Sequence, residues 1–172
     1  MKALFWGILL AILCFALPAE AQYGNHRMGI NTGVMNFRAK DMDAYWGFVP
    51  IAPEYTIYIE SGFDVGFKIP LVILFDRVHK QQHLATGLSA NFRYLFMEEY
   101  FRPYLGLQLG GIYIFRRNLN SLFFDIGPIG GFDYFISSAW SIGPRLFVNF
   151  HFMLNERVHY SLGGFFAVHT YF

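Results

Sequence analysis

Two histidines, His151 and His159, are the best placed residues in this chain to act together. They flank a short connection centred near Asn155. A tight hairpin there sets them opposite one another on one face, and two imidazoles at cross-strand distance can hold a metal ion. No third ligand accompanies them in the sequence, and paired histidines also serve as ordinary hydrogen-bonding groups. The expectation is therefore no bound metal and no cofactor.

The ionisable residues fall into a pattern of their own. In the stretch WSIGPRLFVNFHF, residues 140–152, Trp140, Ile142, Pro144, Leu146, Val148, Phe150 and Phe152 form an apolar face. Arg145, Asn149 and His151 share the other. The same alternation elsewhere gathers Glu54, Glu60, Asp64, Asp125 and Asp133 with Arg27, Lys68, Arg93 and Arg145 on the polar faces. His159, Asn31, Asn91, Gln108 and Ser161 lie with them. The charges nearly balance, as a narrow and poorly hydrated interior requires, because an unpaired buried charge is costly. Two roles fit such a lining: a selective polar channel, or a plug of salt bridges. The plug is the expected one where such faces line a barrel of about eight strands, which is only wide enough for its side chains to fill.

The elements that must hold these residues are eight segments of period two: 27–37, 51–59, 62–75, 84–96, 104–115, 122–136, 140–152 and 158–172. Most exceed the five or six residues of a typical soluble strand and match the nine to eleven of a tilted membrane-spanning strand. Composition agrees. Of 172 residues 55% are hydrophobic and 20% aromatic, with only 15% charged and a net charge of +1. Disorder is excluded, and nothing in the charge balance marks a nucleic-acid footprint. The longest apolar run after residue 21 covers about seven residues and contains Pro70, against the roughly twenty that a spanning helix needs.

Lys2, an apolar stretch over residues 3–17 and Ala19-Glu20-Ala21 read as a cleavable export signal. The expected domains are a signal peptide at 1–21 and a barrel at 22–172. Cys14, the one cysteine, lies in that leader, so no disulfide is expected in the exported chain. An all-β, eight-stranded, antiparallel, up-and-down transmembrane barrel follows, with lipid on the apolar faces and a closed lumen on the polar ones.

With a periplasmic N-terminus the outer connections are 38–48, 76–82, 116–121 and 153–157. The periplasmic connections are 60–61, 97–103 and 137–139. Arg77, Lys80, Arg116, Arg117 and Arg157 give the outer rim a basic excess suited to lipopolysaccharide phosphates, and an ordinary solvated rim suits the same residues. Tyr45, Trp46, Tyr113, Phe115 and Phe150 are expected in the outer aromatic girdle. Tyr94, Phe96, Tyr104, Tyr134 and Trp140 are expected in the inner one.

FRPYLGLQLGGIY, residues 101–113, and the terminal GGFFAVHTYF resemble the small eight-stranded outer-membrane barrels of the OmpA/OmpX/OmpW and opacity-protein group. The terminal stretch is similar to their assembly signal, ending in Phe172, although Thr170 stands where an aromatic or aliphatic residue is usual. The resemblance implies a Gram-negative outer membrane and insertion by the barrel-assembly machinery. It implies no single activity, because the group includes structural proteins, adhesins, channels for hydrophobic solutes and a few lipid-modifying enzymes. His159-Tyr160-Ser161 also resembles the H-x-S element of lipid A deacylases. Those enzymes complete a triad with a later acid at a lipid-facing site, whereas this chain has no acid after Glu156 and turns both residues inward. The expected role is structural or surface-interactive, non-enzymatic and monomeric. A narrow channel for small or hydrophobic solutes is the alternative, and a lipid A-modifying enzyme comes third.

Overall fold

The computed structural model describes residues 25–39, 42–59, 62–76, 80–96, 100–115, 121–152 and 158–172. The expected signal peptide lies outside the described residues. Nine strands follow in order: β1 His26–Ala39, β2 Met42–Ile59, β3 Phe63–Lys68, β4 Leu71–Asp76, β5 Gln82–Leu95, β6 Phe101–Phe115, β7 Ser121–Ser137, β8 Trp140–Phe152 and β9 His159–Tyr171. β3 and β4 are one barrel strand. Lys68 pairs with Ser89 and Leu71 with Thr86, so a single register against β5 runs through the gap. The gap falls at Ile69-Pro70, where proline has no N–H to give the ladder. Eight barrel strands result, as the alternation predicts.

Every pairing is antiparallel between neighbours, and β1 closes on β9 from Arg27↔Tyr171 to Arg38↔Tyr160. Closure leaves no strand edge to be satisfied in hydrocarbon, where each orphan backbone group costs several kcal/mol. The burial pattern is inverted relative to a protein in water. Leu146 is 66% exposed while Arg145 beside it is 0% exposed. Leu88, Leu105 and Phe124 face outward, and Arg93, Asp133 and Asn91 face inward. Such an arrangement is stable only if the outer solvent is apolar.

Four sequence expectations need correction. Residues 42–48 belong to β2 and not to a long first loop. The alternation fails there because β2 carries an extra residue, shifting its register against β1 between Asn31 and Gly33 and against β4 between Phe48 and Ile51. Tyr45, Gly47 and Val49 are buried on one side of this bulge, and Ala52, Glu54 and Thr56 on the other. A bulge moves the inward set by one position, which hides the strand from a strict period-two reading. Residues 101–103 open β6, and Asp76, read as a loop acid, is a buried end of β4. Tyr45 and Tyr104 point into the lumen and join no girdle, since each has the parity of its buried neighbours.

Candidate functional site

Inward side chains divide the lumen into two halves. The end that carries the termini is ionic. Arg27, Arg93 and Arg145 enter from β1, β5 and β8, and Glu54, Asp64 and Asp133 enter from β2, β3 and β7. Glu54 is their centre. Its carboxylate meets Arg93 Nη1 at 3.1 Å, Arg27 Nη2 at 3.7 Å and Arg145 Nη1 in a short ion pair. Asp64 takes a two-pronged contact from Arg93, at 2.6 Å from Nε and 2.9 Å from Nη2. Asp133 accepts from Arg27 Nη1 at 2.6 Å and faces His169 Nδ1 at 3.4 Å. Tyr104 accepts from Arg145 Nε at 2.8 Å, and the Arg93 guanidinium lies 5.2 Å from its ring centre. Three cations thus meet three anions with charge-assisted hydrogen bonds, the condition under which buried charges are tolerated.

A smaller polar group sits farther along. Lys68 Nζ donates to Gln108 Oε1 at 2.8 Å. Gln108 Nε2 and Asn149 Nδ2 both donate to Asp125 Oδ2, at 3.3 and 3.0 Å. The Lys68 ammonium also lies 4.5 Å from the centre of the Phe165 ring, within cation–π range. Beyond it the lumen is largely apolar, filled by Met35, Phe37, Val49, Val72, Leu74, Ile112, Ile114, Phe123, Phe147 and Phe165.

His151 and His159 sit at the far end, directly opposite in the β8–β9 register. His151 Nε2 lies 2.7 Å from Ser161 Oγ, and both imidazoles pack against Phe37 and Phe123. Among the described residues no three His, Cys, Asp or Glu side chains converge as a metal site. The imidazole that reaches Ser161 comes from across the strands and not from His159, two residues before it. His151 Nδ1 has no hydrogen-bond partner, so no acid orients this serine–histidine contact. Both groups are buried in the lumen.

Of the residues singled out in the sequence, Arg27, Glu54, Asp64, Lys68, Arg93, Asp125, Asp133, Arg145, Asn149, His151 and His159 are all buried inside the barrel. Glu60, Arg77, Arg116, Arg117 and Arg157 lie outside the described residues. Lys80 is exposed in a left-handed backbone conformation, φ 53°. Phe172 is on the outer surface, its ring 6.1 Å from His26, and its backbone pairs with that of His26. Sequence reasoning missed Arg102 and Tyr104 as lumen residues and did not single out the apolar half. The signal was parity: Tyr104 shares a face with Gln108, and Phe147 with Arg145.

Asn31, Asn91 and Arg145 are each 0% exposed, so no water-sized gap touches them from inside or outside. By fold the chain is a closed eight-stranded antiparallel barrel, similar to those of small bacterial outer-membrane proteins. Solved structures of that class match nearly its whole length. Neisserial surface protein A is 12% identical, with a TM-score of 0.59 over 88% of this chain and 100% of that one. The N-terminal barrel domain of Pseudomonas aeruginosa OprF is 16% identical, with a TM-score of 0.51 over 87% and 98%. Ail of Yersinia pestis is 9% identical, with a TM-score of 0.52 over 87% and 99%. No family model and no curated protein sequence matches the chain.

Proposed function

We propose that this chain is a non-catalytic outer-membrane barrel with a structural or surface-interaction role, its lumen sealed by side chains. The observation that carries this reading is the absence of exposure at Asn31, Asn91 and Arg145. A porin lumen is wet and its lining charges are hydrated, whereas these charges meet one another. Catalysis is disfavoured because Ser161 and His151 are shut away from lipid and water alike. The basic residues Arg77, Lys80, Arg116, Arg117 and Arg157 suit a phosphate- or sulfate-bearing surface such as lipopolysaccharide. Ail, of the same fold, has been crystallised with the heparin analogue sucrose octasulfate, itself a polyanion. The chain acts as a monomer, and Phe172 ends the signal read by the assembly machinery.

Complementation tests this. In a deletion strain, Ser161→Ala and His151→Ala variants restore envelope integrity as fully as the unaltered chain, with lipid A of unchanged mass. Loss of an acyl chain from lipid A that requires Ser161 would install the enzymatic reading instead.

A further inference from the structure

A cavity of about 30 Å³ lies inside the barrel, where the Lys68–Asp125 group gives way to the apolar half. All eight barrel strands contribute to its lining, so it sits on the barrel axis. Val49, Val72 and Ile112 are among its apolar walls. Lys68, Ser89, Gln108, Asp125, Asn149 and His151, all buried, supply its polar ones.

Two of these polar side chains are only partly satisfied. Asn149 Nδ2 donates to Asp125 Oδ2 at 3.0 Å, yet Asn149 Oδ1 has no hydrogen-bond partner among the described residues. His151 Nε2 meets Ser161 Oγ at 2.7 Å, yet His151 Nδ1 has no such partner either. Asn149 and His151 are 3% and 2% exposed and follow one another on the inward face of β8. Lys68 Nζ, which carries three hydrogens, gives one to Gln108 Oε1 at 2.8 Å. A buried polar atom left unmet is costly, and ordered water is the common remedy.

Charge, polarity and size narrow the occupant. Lys68 and Asp125 are the charged residues of the lining and offset one another, so a further ion would stand uncompensated. A hydrocarbon group would leave Asn149 Oδ1 and His151 Nδ1 unmet. Asn149 Oδ1 needs a donor, and His151 Nδ1 needs a donor or an acceptor according to its tautomer. A molecule that both donates and accepts serves each. The volume exceeds the roughly 10–15 Å³ that one water requires and is too small for a polar solute of several heavy atoms.

We propose that this cavity is a water-binding site. An ordered water there hydrogen-bonds Asn149 Oδ1 and His151 Nδ1 and joins His151 to the Lys68–Asp125 group. The inference rests on the lumen being filled, because water trapped among side chains is held far longer than water in an open pore.

Oxygen-17 relaxation dispersion of water, recorded on the micelle-bound barrel, counts such long-held waters and is blind to exchanging protein hydrogens. Val49→Ile and Val72→Ile each push a methylene toward the cavity and leave every polar group in place. At least one of them should lose the amplitude of one long-held water, while Val34→Ile, on the outer surface, should lose none. An amplitude unchanged in both lining variants would overturn the proposal. So would an amplitude that vanishes when small cations are replaced by tetramethylammonium, which would assign the site to a hydrated ion. Cross-relaxation from water to the methyls of Val49, Val72 and Ile112 in the unaltered barrel needs no variant, and its absence at all three sinks the proposal too. If that absence comes without steady current in planar bilayers, the cavity is dry; with such a current, the lumen is open and the filled reading falls as well.

Discussion

Glu54 is the residue on which the ionic half turns, since three guanidiniums converge on its carboxylate. Arg145→Leu removes one of them and leaves the cluster one cation short, at a cost of about 3 kcal/mol or more. Glu54→Leu is worse, because Arg27, Arg93 and Arg145 then share only Asp64 and Asp133. Denaturant unfolding of the micelle-bound barrel should rank Glu54→Leu below Arg145→Leu, and both below the parent. Phe165→Ala, in the apolar half, should cost about 3–5 kcal/mol by leaving a cavity. At this scale the sequence was informative because a strand has only two faces: once Leu146 was assigned to lipid, Arg145 had to turn inward. Which carboxylate each arginine meets was not legible. Arg145 and Glu54 come from β8 and β2, and their meeting depends on how the barrel closes.

Among the elements, β2 was the hardest to read and is the most instructive. A regular strand repeats every two residues, but the bulge beside Pro50 adds one, so Tyr45 to Val49 look out of phase with Glu54 and Thr56. The segment 62–75 was read correctly as one strand in spite of Pro70, because its alternation keeps phase across the break. Thr86 Oγ1, which donates to the Pro70 carbonyl at 3.1 Å, gives this scale its prediction. Thr86→Val is close in shape but leaves the Pro70 carbonyl without its donor, and should cost about 1–3 kcal/mol in the same unfolding measurement. The closing seam supplies a second. A Cβ on Gly33 would stand 2.1 Å from the Gly164 carbonyl oxygen, so Gly33→Ala must push β1 away from β9. Its denaturation midpoint should fall further than that of Ala90→Gly, a change in β5 that removes only a methyl.

In the whole molecule, charge and grease are stacked along one axis, and under the proposed reading either suffices as a seal. The sequence pointed to the polar plug through its ionisable residues. It gave less notice of the apolar one, since Phe147 and Phe165 carry no charge to mark them as a lining. Two seals predict that neutralising Glu54 and Arg145 together leaves the barrel non-conducting, because a hydrophobic constriction excludes ions without any charge. The central claim is that this barrel is filled and not a pore, and single-channel recording of the unaltered protein in planar bilayers tests it most directly. The account predicts no steady current in molar salt at either polarity. A stable ohmic conductance that changes with substitutions at Arg145 or Phe147 would contradict it.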